Sequence, residues 1–271
     1  MGFFTTDDGV KLHYETAGSG EKTIVYVHGY TDSCVPFISM SGELQKRYRV
    51  ASFDHRAHGQ SEIPKDGYTI ERLAKDFKNF LDFLGIPKVI AIGYSMGSQA
   101  LWSYIRQFGD SRFEKVIFSV MSPKLLTDDE YKLGLIGGCD ATQALNIITM
   151  ANRSFEEYCL RSLREDMPED EKTMIREKAR ELAATHDGGA MVRLLAAMFE
   201  NDYWDVLPNI SVASLIIAGE NDIYPTATHE TSASLIPNSR LSIIKGCGHM
   251  VMFEKPDEYF SEILDFIESP K

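Results

Sequence analysis

A serine flanked by two glycines is the feature of this sequence that most directly indicates chemistry. The motif GYSMG at 93–97 has the form G-x-S-x-G, follows the apolar run 88–92 and precedes the helix-like segment 98–105. In a tight strand-to-helix turn, glycines at these places keep Cβ atoms away from the crowded backbone, and the serine hydroxyl lies above the carboxyl end of the strand. This context predicts that Ser95 is a nucleophile rather than a packing residue.

A nucleophilic serine needs a base and an acid, and candidates for both follow in the chain. Asp222 comes after the strand-like run 214–219, and His249 comes after the strand-like run 240–244. An imidazole takes the serine proton and later returns it to the leaving group, while a carboxylate fixes the imidazole tautomer. The order Ser95, Asp222, His249 therefore predicts a catalytic triad assembled at the carboxyl ends of three strands.

Other acidic and imidazole side chains fit these roles less well. Asp54 and His28 precede the serine motif, which is the wrong order for this triad, and His28 is expected to bond to loop backbone instead. Glu220 stays a minor competitor for the acid because it is only two residues from the preferred aspartate. His186 falls in the long segment 122–207 and His229 in a later helix, where an exposed histidine is the default expectation.

Four further motifs give the sequence a family resemblance. They are VHGY at 27–30, FDHRAHGQS at 53–61, GEND at 219–222 and GH at 248–249. Together with the serine motif they resemble the α/β-hydrolase superfamily over nearly the whole chain. Within it the chain looks most like the arylesterase and cofactor-free haloperoxidase-like branch, partly because of the segments 108–113 and 122–126. The chain departs from the usual pattern at Ala57 and at Ser98, where the family often has glycine.

The resemblance also implies an oxyanion hole and a substrate pocket. In this family two backbone N–H groups bind the developing oxyanion, and here they are those of Tyr30 and Met96. No cofactor and no metal are implied. The residues expected to line the pocket lie beside the predicted site: Tyr30, Met121, Leu125, Ile223 and Met250.

Alternating strand and helix patterns predict the architecture that positions these groups. Eight strand-like segments are expected, at 2–5, 10–16, 23–27, 50–53, 88–92, 115–120, 214–218 and 240–244. The first two form a hairpin, and the others alternate with amphipathic helices such as 70–84 and 256–267. The expected fold is an α/β-hydrolase fold, with a mostly parallel eight-stranded sheet flanked by helices.

One segment is too long to be an ordinary connection between parallel strands, which takes about a dozen residues or more. It spans 122–207 and contains helix-favouring stretches, one charged at 169–184 and one apolar at 191–199. We predict a helical cap (lid) at 122–207, inserted into a core domain formed by 1–121 and 208–271. Apolar residues of the cap should cover the site and shape its pocket.

The composition of the chain limits which binding partners and which cellular compartment are expected. The 271 residues carry 28 Lys and Arg against 40 Asp and Glu, a net charge of −12, which disfavours nucleic acid and anionic membranes as partners. No apolar run approaches the roughly 20 residues that span a bilayer, and no leader pattern is visible. Four cysteines without C-x-x-C spacing indicate neither a metal site nor a disulfide framework. We expect a cytoplasmic monomer or homodimer acting on a small molecule.

The predicted activity is that of a carboxylic ester hydrolase (EC 3.1.1 type), acting on small-to-medium esters, with lactones as equally suitable carbonyl substrates. Three alternatives stay open at this point. The same triad serves hydrolases that cleave a carbon–carbon bond in β-diketones or ring-fission products. A slow-turnover ligand receptor and a non-catalytic scaffold of the same fold are the others. Perhydrolysis, with peroxide in place of water, is the side activity that the haloperoxidase-like resemblance implies.

Overall fold

One eight-stranded sheet organises the chain in the computed structural model, which describes residues 1–135, 138–162, 165 and 167–270. The strands are β1 (Gly2–Thr5), β2 (Lys11–Ala17), β3 (Thr23–Val27), β4 (Arg49–Phe53), β5 (Val89–Tyr94), β6 (Phe113–Ser119), β7 (Ala213–Gly219) and β8 (Ser239–Ile244). Their order in the sheet is β1-β2-β4-β3-β5-β6-β7-β8. The pairs β1–β2 and β2–β4 are antiparallel, and the remaining neighbours are parallel.

Helices cover the sheet and fill the long connection after β6. They are α1 (Cys34–Met40), α2 (Gly42–Gln45), α3 (Ile70–Leu84), α4 (Met96–Phe108), α5 (Ala141–Arg153), α6 (Phe155–Cys159), α7 (Glu169–Thr185), α8 (Gly188–Glu200), α9 (Thr226–Leu235), α10 (Val251–Glu254) and α11 (Pro256–Glu268). Within the part of the chain that the structure describes, short 3₁₀ turns lie at Leu160–Ser162 and Leu207–Asn209. None of these described helices combines the length and the apolar character needed to cross a membrane.

Two apolar layers, one on each face of the sheet, make up the core. On one face, helices α3 and α4 pack against the strands, and Trp102 of α4 stacks on Phe118 of β6 with ring centroids 5.1 Å apart. On the other face, Phe37 of α1 lies parallel to Tyr26 of β3 at 3.9 Å. The central strand β3 is buried along its whole length because both of its faces are covered. This arrangement holds the carboxyl ends of the parallel strands rigidly at one edge.

The predicted α/β fold with a mostly parallel eight-stranded sheet is confirmed. The helix expected at 70–84 coincides with α3, which begins after the capping side chain of Thr69 and ends at Gly85 in the left-handed conformation. Most strand ends differ from the sequence prediction by one or two residues. Pairing with a neighbouring strand decides where a strand ends, and that pairing is invisible to a local pattern.

The helices α5–α8 form an insertion between β6 and β7. Helix α7 is largely exposed and charged, whereas α8 buries most of its apolar side chains. The helical character expected of this segment is therefore present in the described residues. The stretch 191–199 expected to be helical lies inside α8, which begins three residues earlier. The division into a core domain and a cap at 122–207 stays a prediction.

The loop after β4 contains Ala57, one of the two positions at which the chain departs from the usual family pattern. The backbone conformation of this loop supports a prediction about the stability of the fold. Ala57 has φ of 62° and Gly59 has φ of 51°, both in the left-handed region that favours glycine. A Cβ at Gly59 would lie 2.2 Å from Oδ2 of Asp54, whose carboxylate is held by the backbone N–H groups of Cys34 and Gln60. Gly59 is therefore required for steric as well as conformational reasons.

We expect Gly59→Ala to lower the free energy of unfolding by at least about 2 kcal/mol, since it adds a clash to left-handed strain. Ala57→Gly is the matched control, because it relieves strain of about 1 kcal/mol and gives back a similar amount through the freer unfolded chain. Chemical denaturation of both variants measures the difference. Equal effects of the two substitutions would contradict this reading of the loop.

Candidate active site

Ser95 lies in a strained turn between β5 and α4. Its φ of 50° and ψ of −120° place a non-glycine residue in a sparsely populated backbone region. A Cβ at Gly93 would lie 2.7 Å from the backbone N and Cα of Ser98, and one at Gly97 would lie 2.0 Å from the carbonyl oxygen of Val27. The two glycines of the motif therefore let helix α4 approach the strands closely enough to form the turn.

The three residues of the predicted triad converge at the carboxyl edge of the sheet. Asp222 follows β7, and His249 lies between β8 and α10. Nε2 of His249 is 3.1 Å from Oγ of Ser95, and Nδ1 of His249 is 2.7 Å from Oδ1 of Asp222. These separations are hydrogen-bond distances, so the structure brings together residues that are up to 154 positions apart in the chain.

The carboxylate of Asp222 is buried and surrounded by donors. Its side chain is 1% exposed, and Oδ2 lies 3.1 Å from Nε2 of His229, while the backbone N–H of Ile223 donates to Oδ1. Burial raises the pKa of a carboxyl group, but hydrogen bonds from His229 and His249 outweigh burial and lower the pKa of Asp222 to about 2. Asp222 is therefore ionised at neutral pH.

The ionisation of Asp222 fixes the proton positions on His249. An ionised carboxylate can only accept, so Nδ1 of His249 carries the hydrogen that it donates to Asp222. In the neutral ring Nε2 then has a lone pair, and that lone pair faces the hydroxyl of Ser95. This is the tautomer that a general base requires.

Two side chains that the sequence analysis did not single out hold the backbone around His249. The hydroxyl of Tyr94, adjacent to Ser95, donates to the carbonyl oxygen of His249 at 2.7 Å. The carboxylate of Glu254 accepts from the backbone N–H groups of Gly248 and Met250, at 3.0 and 3.2 Å. The loop that carries His249 is thus fixed on both sides of the imidazole.

The two predicted oxyanion donors lie beside Ser95. Met96 is the first residue of α4, so its N–H has no partner within the helix. Tyr30 follows Gly29, and a Cβ at Gly29 would lie 3.2 Å from Cβ of Ser95. Neither N–H donates to another described residue in the observed hydrogen-bond network. Both groups therefore keep a free donor next to the serine, as an oxyanion hole requires.

The Tyr30 side chain connects this loop with the helical insertion. Its hydroxyl donates to the carbonyl oxygen of Met191 in α8 at 2.9 Å. Its ring makes edge contacts with Phe155 and Tyr158 of α6, with centroids 6.5 and 6.3 Å apart. The aromatic side chain is therefore packed against the insertion, while its backbone faces the serine motif.

The other predicted pocket residues differ in exposure. Met121 and Leu125 are buried in the core, and Sδ of Met121 accepts from the hydroxyl of Tyr224 at 3.4 Å. Ile223 and Met250 are 37% and 48% exposed. The triad loops thus carry apolar side chains at the surface, and contact of these residues with substrate stays a prediction.

The histidines that precede the serine motif have structural partners. Nδ1 of His28 donates to the carbonyl oxygen of Gly29 at 2.7 Å, and Nε2 accepts from the backbone N–H of His55 at 2.9 Å. Nε2 of His58 accepts from the backbone N–H of Thr31 at 3.2 Å. The prediction that His28 bonds to loop backbone is confirmed, and these rings hold the loop on both sides of the predicted oxyanion donor.

The exposure predicted for two other histidines is wrong. His229 is fully buried, and His186 is half-buried against His58 with ring centroids 5.6 Å apart. The contact between His229 and Asp222 was not anticipated, because a histidine on a polar helix gives no periodic signal. Glu220, the minor competitor for the acid, points instead to the backbone N–H of Gly246 at 3.1 Å.

One group of potential metal-ligating side chains occurs among the described residues. One ligand atom each of His13, Glu15 and Cys34 lies within 4.8 Å of the others. Nδ1 of His13 is 2.9 Å from the carboxylate of Asp54, and burial together with Asp54 raises the pKa of the Cys34 thiol far above its usual range. Sγ of Cys34 also lies 3.7 Å from Nδ1 of His13, so these side chains contact one another and Asp54 directly. A metal-free and cofactor-free activity stays a prediction.

Comparisons with known proteins show which folds and families this chain is similar to. A family model for the alpha/beta hydrolase fold matches residues 22–137. A non-heme haloperoxidase from Rhodococcus erythropolis is 28% identical, over 99% of this chain and all of that protein. An esterase from Exiguobacterium antarcticum superposes with a TM-score of 0.87 at 23% identity, covering 99% and 100% of the two chains. An enol-lactonase from Burkholderia xenovorans LB400 superposes with a TM-score of 0.80 at 21% identity, covering 98% and 100%.

The fold and these matches define the chain as a hydrolase of the α/β-hydrolase superfamily. Within that superfamily the relatives that it matches over nearly their whole length include non-heme haloperoxidases, at 25% and 28% identity.

Proposed function

We propose that this hydrolase cleaves small-to-medium carboxylic esters, including lactones, through an acyl-enzyme on Ser95. The observation that carries the proposal is the proton arrangement at His249. Its Nδ1–H is committed to an ionised Asp222, which leaves the Nε2 lone pair 3.1 Å from the Ser95 hydroxyl. That arrangement favours proton transfer from the serine to the imidazole as the oxygen attacks a carbonyl.

The reaction has two halves with the same groups in reversed roles. Oγ of Ser95 bonds to the acyl carbon while His249 takes its proton, and the tetrahedral oxyanion accepts from the N–H groups of Tyr30 and Met96. As the oxyanion collapses, the imidazolium of His249 gives the proton to the departing alcohol. Water then attacks the acyl-enzyme, His249 takes a proton from that water and returns it to Ser95, and the carboxylic acid is released.

The substrate class is supported by the surroundings of the serine and by the solved neighbours. Esters and lactones present the same acyl carbonyl, and the structural neighbours include an esterase and an enol-lactonase by name. We propose that α5–α8 act as the cap over this site, since Tyr30 joins the predicted oxyanion loop to Phe155, Tyr158 and Met191. The apolar cover favours a neutral acyl group over a charged one.

The test is a series of p-nitrophenyl esters of increasing acyl length together with simple γ- and δ-lactones. We expect turnover of short and medium esters with a cut-off in acyl length set by the insertion. A fluorophosphonate should add to Ser95, and mass spectrometry of the tryptic peptide locates the adduct. Hydrogen peroxide added to the ester assay measures perhydrolysis, the side activity that the haloperoxidase-like resemblance implies.

Other outcomes would replace the proposal by one of its alternatives. Turnover of β-diketones with no ester or lactone cleaved would indicate a carbon–carbon bond hydrolase. Labelling of Ser95 with very slow ester turnover, and protection of the insertion from protease by ligand, would indicate a receptor. Absence of any fluorophosphonate adduct would indicate a non-catalytic scaffold.

A further inference from the structure

A second histidine contacts the acid of the proposed triad from the side opposite His249. His229 lies in the first turn and a half of α9, and its side chain is fully buried. Nε2 of His229 is 3.1 Å from Oδ2 of Asp222, whose other oxygen faces His249. The two carboxylate oxygens of Asp222 are therefore each paired with a different imidazole.

We propose that His229 is a positioning residue for hydrolysis, one that donates a hydrogen bond to Asp222 and thereby fixes the orientation of its carboxylate toward His249. The inference rests on the proposed function, because it assigns His229 a role in the reaction of Ser95. His229 does not touch the reacting atoms. It acts only through Asp222.

The hydrogen-bond partners of His229 determine its protonation state. Asp222 is ionised and can only accept, so Nε2 of His229 carries a hydrogen. Nδ1 of His229 is buried and has no hydrogen-bond partner among the described residues. A hydrogen on Nδ1 would be an unsatisfied buried donor, which is costly, so the ring is neutral.

A neutral donor suits the chemistry better than a cation would. The negative charge of Asp222 must stabilise the imidazolium that forms on His249 during proton transfer. A lysine or arginine at position 229 would neutralise that charge, whereas a neutral imidazole fixes Oδ2 and leaves the carboxylate charge available. Titratable side chains beside this cluster include Tyr224, whose ring is 6.3 Å from His229 and 6.0 Å from His249, and Tyr94, whose ring is 6.4 Å from His249.

The fold holds His229 in place through the start of α9. The backbone N–H of Thr228 donates to the carbonyl oxygen of Pro225, and its hydroxyl donates to the carbonyl oxygen of Leu133 at 2.8 Å. Leu133 belongs to the chain that leads into the helical insertion. Helix α9 is thus anchored at the residue adjacent to His229, which limits how far the imidazole can move from Asp222.

Two substitutions at position 229 test the proposal. One removes the hydrogen-bond donor but keeps a large side chain, and the other keeps a donor but removes the imidazole ring. His229→Leu leaves Oδ2 without its side-chain donor, and His229→Gln places an amide N–H near the position of Nε2. We expect His229→Leu to lower kcat by about 10- to 100-fold with KM changed less than about threefold, the range for a lost hydrogen bond to a buried charge. His229→Gln should stay within about fivefold of wild type.

The pH profile separates positioning from simple packing. Without the His229 donor, Asp222 attracts protons more strongly, so the acid limb of kcat/KM should move to higher pH in His229→Leu and stay in place in His229→Gln. Ser232→Ala is the control on the same helix, since its hydroxyl bonds to the carbonyl oxygen of Thr228 and to no other group among the described residues. It should leave the profile unchanged. If His229→Leu proves too unstable to purify, His229→Asn serves, because its shorter amide does not reach Oδ2.

The outcomes distinguish failure of the inference from failure of the proposed function. Wild-type turnover that is lost in Ser95→Ala, with wild-type kcat and pH profile in a folded His229→Leu, would overturn the role of His229 alone. Equal losses in His229→Leu and His229→Gln would also overturn it, since the donor would then be irrelevant. A wild-type protein that neither hydrolyses the esters nor takes up a fluorophosphonate would overturn both proposals together.

Discussion

Replacement of Ser95 by alanine is expected to reduce kcat for p-nitrophenyl butyrate by at least about 10⁴-fold, leaving only the weak catalysis of the remaining donors. The substitution removes Oγ, the atom that is 3.1 Å from Nε2 of His249 and that forms the acyl bond. Alanine keeps Cβ, so the strained φ of 50° is the same in both proteins. The fold should therefore be unaffected, and a stopped-flow or steady-state assay reports chemistry alone.

A serine on the same helix supplies the matched control for this prediction. Ser103 of α4 is buried, and its hydroxyl accepts from the side chain of Gln107 at 3.1 Å, away from the turn. Ser103→Ala should keep kcat within about threefold of wild type. A Ser95→Ala protein that retains a substantial fraction of wild-type activity in the same preparation, with its thermal unfolding unchanged, would show that another group attacks the substrate.

Much of the fold could be predicted because its strands and helices have strong local signals. The run at 24–27 is apolar or aromatic because β3 is buried on both faces, and the strand observed at Thr23–Val27 has the predicted limits. The apolar stripe of 70–84 has helical spacing, and α3 has the same limits as well. Elements with such signals do not depend on the details of their neighbours.

The positions of the three predicted site residues could be inferred for a related reason. In a parallel sheet the carboxyl ends of the strands lie at one edge, so residues that follow β5, β7 and β8 must come together there. Chain order was sufficient to choose Asp222 over Asp54. The side chain of Asp54 is instead bonded to His13 and to the loop backbone.

The supporting contacts could not be predicted, since they depend on how the elements pack against each other. The hydrogen bond from Tyr94 to the His249 carbonyl joins residues 155 positions apart. The contact of His229 with Asp222 requires a particular rotation of α9 about its axis, and α9 has no apolar stripe that would fix that rotation from sequence. The packing of α6 and α8 on Tyr30 is equally a property of the assembled chain.

Asp222→Asn is expected to lower kcat by about 10⁴-fold, through the proton positions on its two imidazole partners rather than through loss of charge alone. In the wild-type protein both oxygens of Asp222 accept from ring N–H groups, of His249 and of His229. An asparagine has one oxygen and one NH₂ group, so one imidazole must face a donor. If that ring is His249, its hydrogen moves to Nε2, and it can no longer accept the proton of the Ser95 hydroxyl.

The opposite orientation of the amide is disfavoured by the surroundings of His229. To accept from the amide, His229 would have to carry its hydrogen on Nδ1, which is buried and has no acceptor among the described residues. Turning the NH₂ group toward His249 costs the hydrogen bond from the backbone N–H of Ile223, but that bond lies at an exposed position where water can replace the acceptor. Asparagine should therefore adopt this orientation, which abolishes the base. Glu220→Gln is the control, since Glu220 caps the N–H of Gly246 and should change kcat less than about threefold. Similar losses from Asp222→Asn and Glu220→Gln would mean that the acid of the triad has been assigned to the wrong residue.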